Sequence, residues 1–318
     1  MALSCLIVRA LIAQDYGPPS QLSLGEVPPP QPGGGQVLVR MRAAALNPFD
    51  LKLITGAVKE FVPIEFPYVP GMDGAGAVAA LGEGVAGVSV GDQIFGFFGR
   101  TPGTIAEFAV LAVDYLAPRP SALDPLRAAA LPDSGVTAKT LLRAIEPSAG
   151  ESLLVVGATG GIGMFIVQLA AAAGAEVLAT ATPADTDYVL GLGAAHALDY
   201  TSDDTAELAR ALHPQGVDAV IDLVSSGGAV LESARALRDG GRFASPLQGP
   251  KDLGRGIQAS YVSLTLLPGD LQDLAARAAS GALRVEVSRV YPFAEAVQAF
   301  ADFAGGHTRG KLVVDISA

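Results

Sequence analysis

The chain has 318 residues, enough for two hydrophobic cores; half are hydrophobic and 17% charged, with Gly and Pro scattered along the length, which excludes a disordered or low-complexity protein. A net charge of −11, with 21 unclustered Lys and Arg, excludes a broad nucleic-acid surface. One cysteine, Cys5, and three scattered histidines, His196, His213 and His307, exclude disulfides and a Cys/His metal cluster, so no metal site is expected.

In chain order, the apolar run Cys5 to Ala13 contains Arg9 and lacks a basic leader and a cleavage site; it reads as a strand of a cytoplasmic protein. Up to about Ser121, short strands (Gln36 to Arg42, Gly74 to Ala80, Thr104 to Val110) are separated by turns such as Pro28-Pro29-Pro30 and Gly91-Asp92, which predicts an irregular β domain. From about Ala122, strand-like runs at Leu153 to Val156, Val177 to Ala181, Ala219 to Val224 and Arg242 to Ser245 alternate with helical segments, the pattern of a parallel sheet covered by helices. Leu153 to Ala181 is apolar enough to imitate a membrane span, but four glycines, Gln168 and Glu176 interrupt it, so strand, helix and strand are expected and no membrane partner. The last third predicts a helix (Gly269 to Ser280), a strand (Val285 to Val290), a helix begun by Pro292 and a closing strand (Lys311 to Ile316).

The strongest motif is Leu153-Leu154-Val155-Val156-Gly157-Ala158-Thr159-Gly160-Gly161-Ile162-Gly163, followed by a stripe at Ile162, Ile166, Leu169 and Ala173. Glycines let a backbone turn tightly and approach a pyrophosphate, whose charge meets free amides at a helix N-terminus. Gly157, Gly160, Gly161, Ile162 and Gly163 are therefore candidate dinucleotide-binding residues. An NAD-preferring site ends its second strand in an acid; here that strand ends Ala181-Thr182-Pro183. Thr182 and Tyr200 are expected to donate to a 2′-phosphate, which favours NADPH over NADH, although no Arg or Lys follows Thr182 closely. Ser245, at the carboxyl end of a strand, is a further candidate for the cofactor site.

Asn47-Pro48-Phe49-Asp50, Pro70 to Gly76, Gly87 to Asp92, Gly135-Val136-Thr137-Ala138 and Gly310-Lys311 occur in this order around the glycine turn. On these stretches the chain resembles the quinone oxidoreductase branch of the medium-chain dehydrogenase/reductase superfamily along essentially its full length. The resemblance implies an α/β fold: a Rossmann doubly wound parallel sheet domain (122–264) inserted into a GroES-like β-rich substrate domain (1–121 and 265–318). It places Asn47 beside the nicotinamide, as a donor to the oxygen where charge grows, with Asp50 as a second catalytic candidate; both also suit a helix start, Asn at the cap and Asp in the first turn. It brings Thr137 and Lys311 to the cofactor. Zinc alcohol dehydrogenases of the superfamily carry a Cys near Asn47 and Gly-His-Glu at Gly71-Met72-Asp73, so zinc is not expected. Without that Lewis acid, a quinone or enone is the implied substrate. Many relatives have a tyrosine shortly after Asp50; Leu53 to Lys59 has none, which leaves the proton donor open. Alternatives are an enoyl-thioester or 2-alkenal reductase and a non-catalytic NADPH-binding redox sensor. Relatives pair as homodimers through a sheet edge, here expected at Gln258 to Leu264.

Overall fold

The structure, a computed structural model, describes residues 7–99, 103–306 and 308–317; Cys5 and His307 lie outside them. The chain enters through β1 (Val8–Ile12), β2 (Ser23–Val27) and β3 (Gln36–Ala45), then α1 (Pro48–Ile54), β4 (Asp73–Leu81), β5 (Gln93–Phe97), β6 (Phe108–Ala112), β7 (Leu116–Pro118) and α2 (Pro125–Ala129). It continues through α3 (Pro132–Ile145), β8 (Ser152–Val156), α4 (Gly163–Ala172), β9 (Glu176–Ala181), α5 (Thr186–Gly191), β10 (His196–Asp199), α6 (Thr205–Leu212), β11 (Val217–Asp222), α7 (Val230–Ala234), β12 (Leu237–Ser245) and β13 (Gln258–Tyr261). It closes with α8 (Asp270–Ala279), β14 (Val287–Pro292), α9 (Ala296–Ala304) and β15 (Lys311–Asp315).

Two compact units result: Met1–Asp133 with Leu271–Ser280 and Val287–Ala318, and Ser134–Asp270 with Gly281–Glu286. The division falls at 133/134, beyond the 121/122 expected, because α2 packs on β3 and β4 and keeps its segment in the first unit. In that unit the main sheet has the order β14, β15, β3, β4, β5, β7, with β6 also pairing to β3; β14 and β15 are parallel and the rest antiparallel. Strand β3 buries Val37, Val39 and Met41 against Tyr68, Phe98, Phe293 and Phe300. Tyr68 and Phe98 are thus core, the more frequent role for such aromatics.

In the second unit six parallel strands lie in the order β10, β9, β8, β11, β12, β13. Numbered along the chain this is 3-2-1-4-5-6, the doubly wound order of a dinucleotide-binding sheet, and it reverses between β8 and β11. The run Leu153 to Ala181 resolves into β8, α4 and β9, and no helix among the described residues is long and apolar enough to cross a membrane.

Some expected boundaries move. The strand expected at Thr104 to Val110 starts at Phe108, since Thr104 turns its hydroxyl to the Asp73 carbonyl. The strand expected at Val285 to Val290 runs from Val287 to Pro292, and Pro292 precedes α9 instead of beginning it. The stripe after the glycine turn is corrected more strongly: Ala173 is exposed and Ile162 and Leu169 are half-buried, while Met164, Phe165, Ile166, Val167 and Ala170 are buried. Helix α4 is nearly apolar all round and buried on several faces, so a single stripe could not describe it.

Candidate active site

In the second unit the glycine turn sits at the carboxyl end of β8, beside the point where strand order reverses. Gly157 has φ 85°, a left-handed conformation that side chains rarely adopt, and its amide donates to Thr180 Oγ1 at 2.9 Å, which ties the turn to β9. A Cβ on Gly163 would stand 2.2 Å from the Gly157 carbonyl oxygen, so the start of α4 can lie this close to β8 only as glycine. At Gly160 the nearest atom would be 3.6 Å away; the protein leaves that side open. Open space before the first amides of α4 is the cradle a pyrophosphate needs, so these residues fit a dinucleotide.

The other expected cofactor residues separate. Thr182 is half-buried at the end of β9, and Tyr200 is 45% exposed just after β10, whose Asp199 pairs in register with Ala181. Ser245 is fully buried at the end of β12 and its Oγ accepts the Leu247 amide at 3.0 Å, which gives it a turn-closing role. Thr137 is buried on α3.

Strand β9 ends without an acid, as the sequence indicates, but one follows it closely. A short 3-10 turn over Pro183–Asp185 brings Asp185 back so that Thr182 Oγ1 donates to Asp185 Oδ2 at 3.1 Å. The carboxylate was overlooked because it lies beyond a proline, outside the strand; Thr-Pro-x-Asp, a turn signature, was the available signal.

In the first unit Asn47, Asp50 and Lys311 come together, joined by Asp73 and Asp133, which sequence reasoning missed. Asn47 is 1% exposed; its Nδ2 donates to Asp73 Oδ2 at 3.0 Å and its Oδ1 accepts from Lys311 Nζ. The Lys311 ammonium is 3.9 Å from Asp73 Oδ2, and Asp73 Oδ1 accepts the Asp133 amide at 3.0 Å. Asp50 is fully buried, with Oδ2 accepting the Asn47 amide at 2.9 Å and Oδ1 the Gly71 amide at 3.2 Å. Both Asp50 oxygens thus accept backbone amides, so the side chain caps the start of α1 and braces the chain at Gly71. The sequence offered one sign of Asp73: it stands where zinc relatives carry a glutamate.

Three carboxyls around one ammonium cannot all ionise cheaply away from water. Burial pushes the Asp50 carboxyl up to about 7, against the pull of the Asn47 amide and Lys311. Burial and the neighbouring Asp133 hold Asp73 well above the ordinary range, and burial raises Asp133 as well. All three carboxyls are thus biased toward the protonated form relative to a free carboxylate.

The donors do not fit zinc. Asn47 and the buried thioether of Met72 are poor zinc ligands, both Asp73 oxygens are engaged, and the place of a cation is taken by Lys311. Among the described residues no set of three or more His, Cys, Asp or Glu is arranged to hold a metal ion.

Residues 33–121 match the alcohol dehydrogenase GroES-like domain family and residues 192–314 the family described as zinc-binding dehydrogenase. The chain is 31% identical to the chloroplast envelope quinone oxidoreductase homolog of Arabidopsis thaliana, covering 97% of this chain and 98% of that protein. It is 30% identical to the NADPH-dependent alkenal/one oxidoreductase, chloroplastic, of the same plant, covering 96% of this chain and 79% of the relative. The solved quinone oxidoreductase of Coxiella burnetii superposes with a TM-score of 0.86 at 30% identity, covering 98% of this chain and all of that one.

Proposed function

The chain belongs to the quinone oxidoreductase-like branch of the medium-chain dehydrogenase/reductase superfamily, and from that premise we propose that it is a zinc-independent reductase passing hydride from a nicotinamide dinucleotide to quinones or α,β-unsaturated carbonyls. The observation that carries the reading is the end-to-end likeness to proteins named quinone oxidoreductase, joined in this chain to an open glycine turn at the reversal point of the sheet.

When bound, the dinucleotide supplies the hydride. The chain's own residues hold and orient. The amides from Gly157 to Gly163 receive the pyrophosphate, and Thr180 fixes their turn. Asn47 has two Nδ2 hydrogens, one of which is spent on Asp73; the other remains as a donor to an oxygen that gains negative charge. Lys311 holds the Asn47 side chain from its oxygen side and adds positive charge at the same place. Asp73 holds Asn47 from the other side, accepting from its Nδ2 at 3.0 Å. The soluble substrate needs no membrane or nucleic-acid partner in this reading. A second copy of the chain would add along β13, which among the described residues pairs only with β12.

The test is consumption of NADH and NADPH by the purified protein with 9,10-phenanthrenequinone, 1,4-benzoquinone and a short 2-alkenal, alongside elemental analysis. Turnover with any of them and no stoichiometric zinc is expected. Nucleotide binding without turnover across the panel would overturn the reading in favour of a redox sensor or an enoyl-thioester substrate.

A further inference from the structure

In a doubly wound sheet the end of the second strand, about 20 residues beyond the glycine turn, meets the adenosine ribose, and an acid there accepts from its hydroxyls while a 2′-phosphate needs a cation. Here that position is Thr182, and its hydroxyl is committed to the Asp185 carboxylate at 3.1 Å. Asp185 is only 5% exposed and the Asp185 amide closes the turn on the Thr182 carbonyl at 2.9 Å, so the carboxylate is fixed at the strand end.

The surrounding charge has the same sign. From Thr182 to Asp204 the chain has Asp185, Asp187, Asp199, Asp203 and Asp204 and neither Lys nor Arg. Asp199 ends the neighbouring strand in register with Ala181, and its bonds to Thr201 hold its carboxyl below the ordinary range. The histidine in this stretch, His196, turns to Glu176 at 3.1 Å. A cation that touches α5, Arg284, packs over the Tyr188 ring and bonds twice to Glu286, at 2.9 and 2.6 Å. Neither of these two groups is therefore free to meet a phosphate dianion at Thr182.

We infer that Asp185 is a specificity-determining residue that selects NADH over NADPH, its carboxylate accepting from a free 2′-hydroxyl and repelling a 2′-phosphate. The inference rests on the dinucleotide reading above and reverses the preference that the sequence suggests, because the 3-10 turn delivers an acid that the strand itself lacks.

Titration calorimetry at fixed ionic strength with NADH and NADPH, and with the fragments ADP-ribose and 2′-phospho-ADP-ribose, reads binding apart from turnover. The expected result is NADH bound at least roughly tenfold more tightly than NADPH, with the same order for the fragments. Equal or tighter binding of NADPH overturns the inference alone; binding of neither nucleotide overturns the dinucleotide reading itself. Asp185→Asn keeps the size of the side chain and should narrow the NADH preference roughly tenfold. Ala184→Arg, at an exposed position of the same turn, should shift the preference toward NADPH even if the first variant folds poorly. An unchanged ratio in both variants would contradict the assignment.

Discussion

At the scale of single residues, the buried group around Lys311 is held by one cation shared among three carboxyls. Lys311→Met leaves those carboxyls with no ammonium and Asn47 Oδ1 with no donor. We expect a loss of roughly 3 kcal/mol or more in unfolding free energy, measured by urea denaturation, and a fall in kcat larger than any change in KM. Asn47→Ala should lower kcat roughly 10- to 1,000-fold in steady-state assays, the range for loss of one oriented donor. Asp50→Asn should act mainly through stability, since both carboxylate oxygens serve backbone amides. Asn47 and Lys311 were legible as candidates from the resemblance, and the structure brings them together. The identity of their neighbours was not: Asp73 and Asp133 reach them from parts of the chain far away in sequence, and only folding shows that a carboxyl there is buried with an ammonium.

At the scale of elements, the glycine turn separates two requirements that look alike in sequence. At Gly163 an added Cβ meets the Gly157 carbonyl at 2.2 Å and the Ala158 Cα at 2.7 Å, so Gly163→Ala must displace backbone, and a cost of about 2–4 kcal/mol is expected. At Gly160 the space is open; Gly160→Ala should stay within about 1 kcal/mol of the parent protein, yet weaken dinucleotide binding more than tenfold. Thermal unfolding and calorimetry on the two variants check both statements. The motif marked the proposed dinucleotide turn because strand, turn and helix follow each other directly. It did not reveal the pairing of Asp185 with Thr182, because Pro183 and a single 3-10 turn bring Asp185 back, a reversal that strand periodicity does not register. For α4 the apolar pattern announced a helix and hid which faces are covered, as most of its side chains are apolar.

At the scale of the whole molecule, the alternation of strands and helices disclosed the parallel sheet, and the Gly/Pro-punctuated strands disclosed the β-rich unit; the return of the last strands to the first unit needed the resemblance as well. The buried carboxyls also set how stability depends on pH. Asp50 is raised to about 7 from 3.8, so between those values the folded chain binds more protons than the unfolded one, and stability falls as pH rises through this window. Asp73 and Asp133 act in the same sense. Asp270 has the opposite sign: although burial alone would raise it, Arg143 and Lys139 hold it below the ordinary range, so its contribution is lost as pH falls through its lowered folded value. Thermal midpoints should therefore decline from about pH 5 to pH 7.5, and Asp50→Asn should flatten that slope. A midpoint rising steadily over the same range would contradict the burial of these carboxyls.

The central claim, that this fold carries a zinc-independent reductase, is tested most directly by following reduced-nicotinamide absorbance while the purified protein meets 9,10-phenanthrenequinone in the presence and absence of a chelator. The account predicts quinone-dependent oxidation of the dinucleotide, undiminished by the chelator and lost in Lys311→Met. Oxidation abolished by the chelator and restored by zinc would contradict it.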